Sequence, residues 1–148
     1  MKKLAIVLLL VAASCKRQAT VVTTVPTAGM PGAATAKEAV RGFLAAAKAQ
    51  DLQAMSMMWG TKEGPAAATM DRAEMERREI VLACYLKHDS YQIVNETPAA
   101  NDERMMTVEL KFRTLTRASN FYATPGPESR WFVRTFEADA LRDICAQR

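Results

Sequence analysis

The sequence predicts one α+β domain in which three N-terminal helices pack on a curled antiparallel sheet. Apolar side chains recur at helical spacing in successive segments between about residues 36 and 87, and from residue 90 onward the period changes to two. Helices followed by a run of strands are typical of the α+β class. The part of the chain that shows these patterns has about 110 residues, which is a common size for a single domain.

The chain opens with a short apolar segment. Lys2 and Lys3 precede an uninterrupted apolar run over residues 4–13, and small residues then lead into Cys15. The run is too short to cross about 30 Å of hydrocarbon as a permanent helix. We therefore expect residues 1–14 to be an export signal that is removed from the protein.

The cysteine that ends this segment makes it similar to the signal of bacterial lipoproteins. The resemblance implies cleavage before Cys15 and acylation of its sulfur and its new amino group. Lys16 follows the cysteine, where the precedent uses aspartate to retain a protein in the inner membrane. We therefore expect a lipid-anchored protein of the cell envelope, in the outer membrane, with its domain in the periplasm. An ordinary secretory signal is the alternative.

The segment after Cys15 predicts a tether. It contains no acidic or aromatic residue up to the first helix, and it is interrupted by Pro26, Gly29, Pro31 and Gly32. We expect residues 15–34 to be the acylated cysteine with a flexible tether, and residues 35–148 to be the globular domain.

The charge balance of the expected domain excludes one class of partner. All 16 acidic residues and 16 of the 20 basic residues lie after residue 36, so the basic surplus belongs to the signal and the tether. A neutral domain lacks the positive face that nucleic-acid binding requires. The expected partners are the membrane, through the lipid anchor, and a small apolar ligand or another envelope protein. The oligomeric state is not predicted.

Capping residues mark the expected helices in order. Thr35 followed by Glu38 forms a capping box that predicts a first helix over about residues 36–49. Asp51 predicts the cap of a second, short helix that Gly60 ends. Asp71 begins a third helix over about residues 72–87, which its apolar stripe predicts to be the core helix. The segment between the second and third helices is expected to be a loop.

Three strands follow in the prediction. Residues 90–97 and 104–115 alternate between apolar and polar side chains, as expected of half-buried antiparallel strands. A long loop through Pro125 and Pro127 then precedes a third strand over residues 130–137. A short terminal helix carries Leu141, Ile144 and Cys145.

This order of elements resembles the cone-shaped nuclear-transport-factor-2-like family. The resemblance rests on AVRGFLAAAKAQDLQAM for the first helices, SYQIVNET with MMTVELKF for a hairpin, and RWFVRTF for a late strand. It implies a sheet that wraps a long helix around a conical cavity. Some members are enzymes, such as ketosteroid isomerases, and others only bind or dimerise. A cystatin-like sheet on a helix is the alternative fold.

No catalytic constellation can be assigned from the sequence. Glycine-rich phosphate loops, paired CxxC motifs and HExxH are missing from the sequence. We therefore expect no catalytic residue, no metal site and no cofactor. One alternative is an isomerase-like or dehydratase-like enzyme acting on a small apolar substrate. Another is copper handling, because Met55, Met57 and Met58 are thioethers and Cys84 lies one helical turn from His88.

Two further expectations concern pairs and clusters of side chains. Once Cys15 is acylated, Cys84 and Cys145 remain, and in an oxidising compartment they are expected to form a disulfide.

Large aromatic residues on inward faces are expected to line an apolar cavity between the third helix and the sheet. These residues are Phe43, Trp59, Tyr85, Phe112 and Trp131. The alternative is that they simply fill the core.

Overall fold

The structure is a computed structural model that describes residues 30–147. The predicted signal peptide, Cys15 and the tether up to residue 29 lie outside the described residues. The helices are α1 (Ala36–Ala49), α2 (Leu52–Met58), α3 (Ala66–Thr69), α4 (Arg72–Tyr85) and α5 (Arg142–Ala146). The strands are β1 (Gly60–Thr61), β2 (Gly64–Pro65), β3 (Ser90–Pro98), β4 (Arg104–Phe112), β5 (Leu115–Pro125) and β6 (Trp131–Phe136).

The predicted fold class is confirmed. Strands β3 to β6 form one antiparallel sheet in sequence order, β1 and β2 form a small second sheet, and the helices pack on the larger one. Along β4, Met106, Val108 and Leu110 are buried, as the alternation predicts. This architecture is compatible with a cone-type α+β fold.

The predicted helix starts are confirmed by their caps. The side chain of Thr35 accepts a hydrogen bond from the backbone N–H of Glu38 at 3.2 Å. The side chain of Asp51 accepts a hydrogen bond from the backbone N–H of Ala54 at 2.9 Å. The side chain of Asp71 accepts one from the backbone N–H of Glu74 at 3.1 Å. Each cap satisfies an amide that the first helical turn leaves without a partner.

The prediction that the third helix is the core helix is wrong. The buried apolar stripe belongs to α1, where Val40, Phe43 and Leu44 are completely buried and which packs against β5 and β6. Within α4 the one completely buried residue is Glu79. Charged residues occupy much of the first half of α4, so its apolar stripe is too short to enter the centre of the domain.

The strand β5 was not predicted. Residues 116–125 were expected to be a loop, but they belong to the longest strand of the sheet and pair with both β4 and β6. Their inward positions carry Ser119 and Ala123 beside Phe121, so the apolar alternation is weak. The turn that precedes β5 places Arg113 at a φ of 54° without the glycine that usually signals such a turn.

The folded domain begins before the predicted boundary at residue 35. We call residues 31–33 the strap. The backbones of Ala33 and Trp131 exchange hydrogen bonds of 2.9 and 2.8 Å, and the N–H of Gly32 donates to the carbonyl of Met57 at 2.8 Å. Gly32 has a φ of +68°, and a Cβ there would lie 2.8 Å from Phe132. Only glycine fits this contact without a shift.

The disulfide between Cys84 and Cys145 is present, with the two Cα atoms 4.9 Å apart. It connects the last turn of α4 to α5. Among residues 30–147, no helix combines the length and the hydropathy that crossing a bilayer requires.

Candidate functional site

A groove with a volume of about 400 Å³ lies between α4 and the end of α2. Its size falls within the range of ligand sites in proteins. The residues that line it are Trp59, Glu74, Arg77, Arg78, Val81 and Leu82. Five of these side chains come from one surface of α4, because they recur at three-residue and four-residue steps.

Trp59 is fixed at the end of the groove by its backbone and its ring. It caps α2 through an N–H that donates to the carbonyl of Met55 at 2.8 Å. It also forms an isolated parallel bridge with Val133, and its indole Nε1 donates to the carbonyl of Arg134 at 3.3 Å. The ring is therefore held between α2 and β6 and presents a rigid aromatic surface to the groove.

The charged rim of the groove is built around Glu74. Its two carboxylate oxygens accept hydrogen bonds from Arg77 at 2.8 Å and from Arg78 at 2.6 Å. These bonds, together with the positive charges, hold the pKa of Glu74 below its ordinary value. Two guanidinium groups share one carboxylate, so the rim keeps an excess positive charge.

Exposed aliphatic side chains continue the groove along α4. Ile80 is 62% exposed and Val81 is 55% exposed. Within residues 30–147 only Met30 and Val94 are further large apolar residues with comparable exposure. Isolated exposed apolar residues are ordinary, but neighbouring ones beside a groove are a feature of binding surfaces. The sequence signal was the pair Ile80–Val81 directly after a strongly charged stretch, and the sequence analysis missed it.

Glu79 is a second feature that the sequence analysis missed. Its side chain is completely buried, and neither carboxylate oxygen has a hydrogen-bond partner. Burial, and secondarily the charge of Glu76, raises the pKa of Glu79 to about 7. The sequence did contain a signal, because Glu79 lies four residues after Met75 and three before Leu82 on the stripe predicted to face inward.

No cation on α4 is available to compensate Glu79. Arg72 pairs with Glu76 at 2.8 Å. Arg77 and Arg78 both pair with Glu74. Of the helices that pack against α4, α2 and α3 contain no charged residue, and none of the charged side chains of α1 and α5 forms a hydrogen bond with Glu79. Glu79 is therefore held in its neutral form over part of the physiological pH range.

The five aromatic residues predicted to line a cavity lie around one hydrophobic core. Phe43 is completely buried within it, and the other four are partly buried and pack against it. Of the five, only Trp59 also lines the groove. Phe112 lies at the end of β4, where the guanidinium of Arg113 stands 5.2 Å above its ring.

Four of the five residues considered for metal binding are engaged elsewhere, and the fifth, Met57, is partly buried. The sulfur of Cys84 is in the disulfide, and Met55 and Met58 are buried in the core. His88 is buried, and its Nδ1 lies 2.8 Å from the carbonyl oxygen of Leu86. Within the described part of the chain, no group of three or more His, Cys, Asp or Glu side chains is placed to hold a metal ion.

Comparisons of the chain with protein-family models, with curated proteins and with solved structures find no match.

Proposed function

We propose that this chain is a lipid-anchored protein of the cell envelope whose domain binds a partner or a small apolar ligand without catalysing a reaction. The observation that carries the binding role is the groove on α4, with exposed Ile80 and Val81 at its side. A rigid aromatic ring, aliphatic side chains and a few charged groups are the usual composition of a binding surface.

Two features support the location. The signal ends in Cys15 as lipoprotein signals do, and the remaining cysteines form a disulfide, as is common in oxidising compartments. The strap supports an anchored arrangement, because it fastens the chain to the domain just after the expected tether. The envelope, with the domain in the periplasm, is the location that fits both features, and Lys16 favours the outer membrane.

The experiment for the anchor is mass spectrometry of the mature amino terminus, with cell fractionation of a Cys15→Ser variant. The expected result is a mature chain that begins at Cys15 and carries acyl chains, and a variant that leaves the outer-membrane fraction. A mature chain with an unmodified cysteine would overturn the anchor. The variant Met30→Ser is the matched control, because it removes an exposed sulfur-containing side chain without touching the signal or the disulfide.

We also infer a distant relationship to the nuclear-transport-factor-2-like family. Its support is the order of elements, with two helices joined by a short connection, a further helix, and then an antiparallel sheet. The family contains both enzymes and binding proteins, so it favours no activity by itself.

An isomerase-like or dehydratase-like enzyme is the second candidate, and Glu79 is the observation that favours it. A buried carboxyl group with a pKa of about 7 has the acidity that general bases need. Glu79 does not line the groove, so a substrate in the groove would not reach it. The variant Glu79→Gln distinguishes the two functions, because it would abolish turnover in an enzyme and leave ligand binding in the groove intact.

A further inference from the structure

We propose that the partner of the α4 surface is the anionic lipid surface of the membrane that holds the anchor. This inference rests on the proposed lipid anchor. In the docked state α4 lies on the headgroups with Ile80 and Val81 inserted, while Arg77 and Arg78 contact lipid phosphates.

The chemistry of α4 matches an interfacial surface. Ile80 and Val81 are aliphatic and mostly exposed, and Arg77 and Arg78 precede them with side chains that are 72% and 56% exposed. Interfacial helices are amphipathic along their length, whereas α4 offers only this short exposed patch of aliphatic side chains beside arginine, so its contact with the membrane is local. Trp59, at the end of the groove, has the amphipathic ring that is favoured at the headgroup level.

The charge of the rim favours an anionic lipid. Arg77 and Arg78 share the single carboxylate of Glu74, so one positive charge is left over. Exposed ion pairs of this kind contribute little free energy, and the guanidinium groups can exchange Glu74 for phosphate oxygens at small cost. Arginine binds phosphate through two parallel N–H donors, which makes phosphate a good replacement for the carboxylate.

The tether leaves the domain beside this surface. Gly32 of the strap donates to the carbonyl of Met57 at the end of α2, and Trp59 follows Met57 closely in the chain. Met30, where the described chain begins, is itself 57% exposed. The end of α2 therefore carries both the exit of the tether and one wall of the groove.

The length of the tether keeps this surface close to the membrane. The expected tether, residues 16–29, would have a root-mean-square span of about 20 Å as a coil of that length. The domain has a diameter of roughly 35 Å, so the surfaces near the strap meet the membrane far more often than the opposite side does. Because the anchor holds the domain at the membrane, docking is an intramolecular step. A small contact surface is therefore enough to keep α4 on the lipid.

Fluorescence quenching of single-tryptophan variants tests the proposal. The chain has two tryptophans, so Trp131→Phe leaves Trp59 alone, and Trp59→Phe leaves Trp131. Trp131 pairs with Ala33 of the strap, so it is the reference for nearness to the anchor without contact through α4. The anchored protein is incorporated into vesicles of phosphatidylcholine, with or without phosphatidylglycerol, that contain lipid brominated near the headgroup. The expected result is stronger quenching of Trp59 than of Trp131, and more quenching of Trp59 when phosphatidylglycerol is present.

Substitutions on α4 separate the apolar contribution from the charged one. In the chain that keeps Trp59, Ile80→Ser with Val81→Ser should reduce the quenching to the level of Trp131. Arg77→Gln should lower the docking equilibrium constant about fivefold, the effect expected for one basic side chain near an anionic surface. The controls are Val94→Ser on β3 and Lys111→Gln on β4, which remove an exposed aliphatic side chain and an exposed charge elsewhere. Both controls should leave the quenching unchanged.

Two outcomes would overturn the inference. One is equal quenching of Trp59 and Trp131, and the other is quenching of Trp59 that survives the Ile80→Ser and Val81→Ser substitutions. Either result would leave the groove facing water, where it could bind a protein instead. Flotation of the vesicles tests the anchor separately, because a chain without acylated Cys15 would not float with them.

Discussion

Glu79 shows how one side chain can determine the behaviour of a helix. Every arginine of α4 already has a carboxylate partner, and Glu79 is the acid that remains, buried and without a hydrogen bond. The folded state favours the neutral carboxyl group of Glu79, because burial penalises the charged carboxylate. The attachment of α4 to the domain should therefore depend on pH.

The first prediction concerns Glu79→Gln. The ordinary pKa of a glutamate is 4.5, and that of Glu79 in the folded protein is about 7. The folded state therefore keeps a proton that the unfolded state loses, so this group lowers the free energy of unfolding as the pH rises between these values. The variant should gain up to about 3 kcal/mol at about pH 8 and almost nothing at about pH 4.

Urea denaturation across this pH range measures the effect. Other acidic groups, such as Glu74, titrate in both proteins, so the difference between the two curves isolates Glu79. The control is Glu74→Gln, because the pKa of Glu74 is lowered by its arginine partners and its removal should change the stability difference in the opposite direction as the pH rises. A Glu79→Gln curve parallel to the wild-type curve would contradict the raised pKa.

At the residue scale the sequence predicts what depends on neighbours in the chain. Thr35 and Asp71 cap their helices because the amides that they bind lie three residues away. Glu79 is different, since its burial depends on packing between elements that are distant in sequence. The same holds for Trp59, whose ring is fixed by a carbonyl of β6.

At the element scale, the carboxyl end of α4 is attached to the domain by burial and by a covalent link. Its early turns expose Arg72, Arg77 and Arg78, whereas Leu86, just after its end, is completely buried. The disulfide adds a covalent link to α5 in this last turn. The exposed side chains Arg77, Ile80 and Val81 therefore lie in the middle of the helix, between its charged first turn and this link.

The second prediction concerns this disulfide. Its cysteines are 61 residues apart, and closing a loop of that length lowers the entropy of the unfolded chain. The variant with Cys84→Ala and Cys145→Ala should lose about 4 kcal/mol of unfolding free energy. Urea denaturation with and without reductant measures the loss. Reductant should destabilise the wild type and leave the double variant unchanged, and a wild type indifferent to reductant would contradict a structural disulfide.

The elements that the sequence mispredicted share one physical cause. The strand β5 is stabilised by pairing with β4 and β6 on its two sides, and this pairing does not require strong apolar alternation. The helix α4 has the local pattern of a core helix, but α1 has the longer apolar stripe and occupies that position. Both outcomes depend on contacts with other elements of the fold, and the local sequence pattern of one element does not contain this information.

At the scale of the whole molecule, one hydrophobic core joins α1, α2 and the inner face of the large sheet. Phe43 is at its centre and is completely buried, and Phe121 stacks on Phe136 with 5.2 Å between ring centroids. The groove lies outside this core, on the outer side where α4 meets α2. Stability and binding are therefore assigned to different parts of the domain, although aromatic residues contribute to both.

The last prediction tests this separation with Phe43→Ala and Trp59→Ala. Removing the ring of Phe43 leaves a cavity in a close-packed core and should cost about 3 to 5 kcal/mol of unfolding free energy. Trp59 is only partly buried, so its removal should cost roughly 2 kcal/mol, from lost apolar contact and the lost hydrogen bond to Arg134. Urea denaturation of the two variants gives both values. Equal losses at the two positions would make Trp59 a core residue and remove the rigid wall from the proposed binding groove.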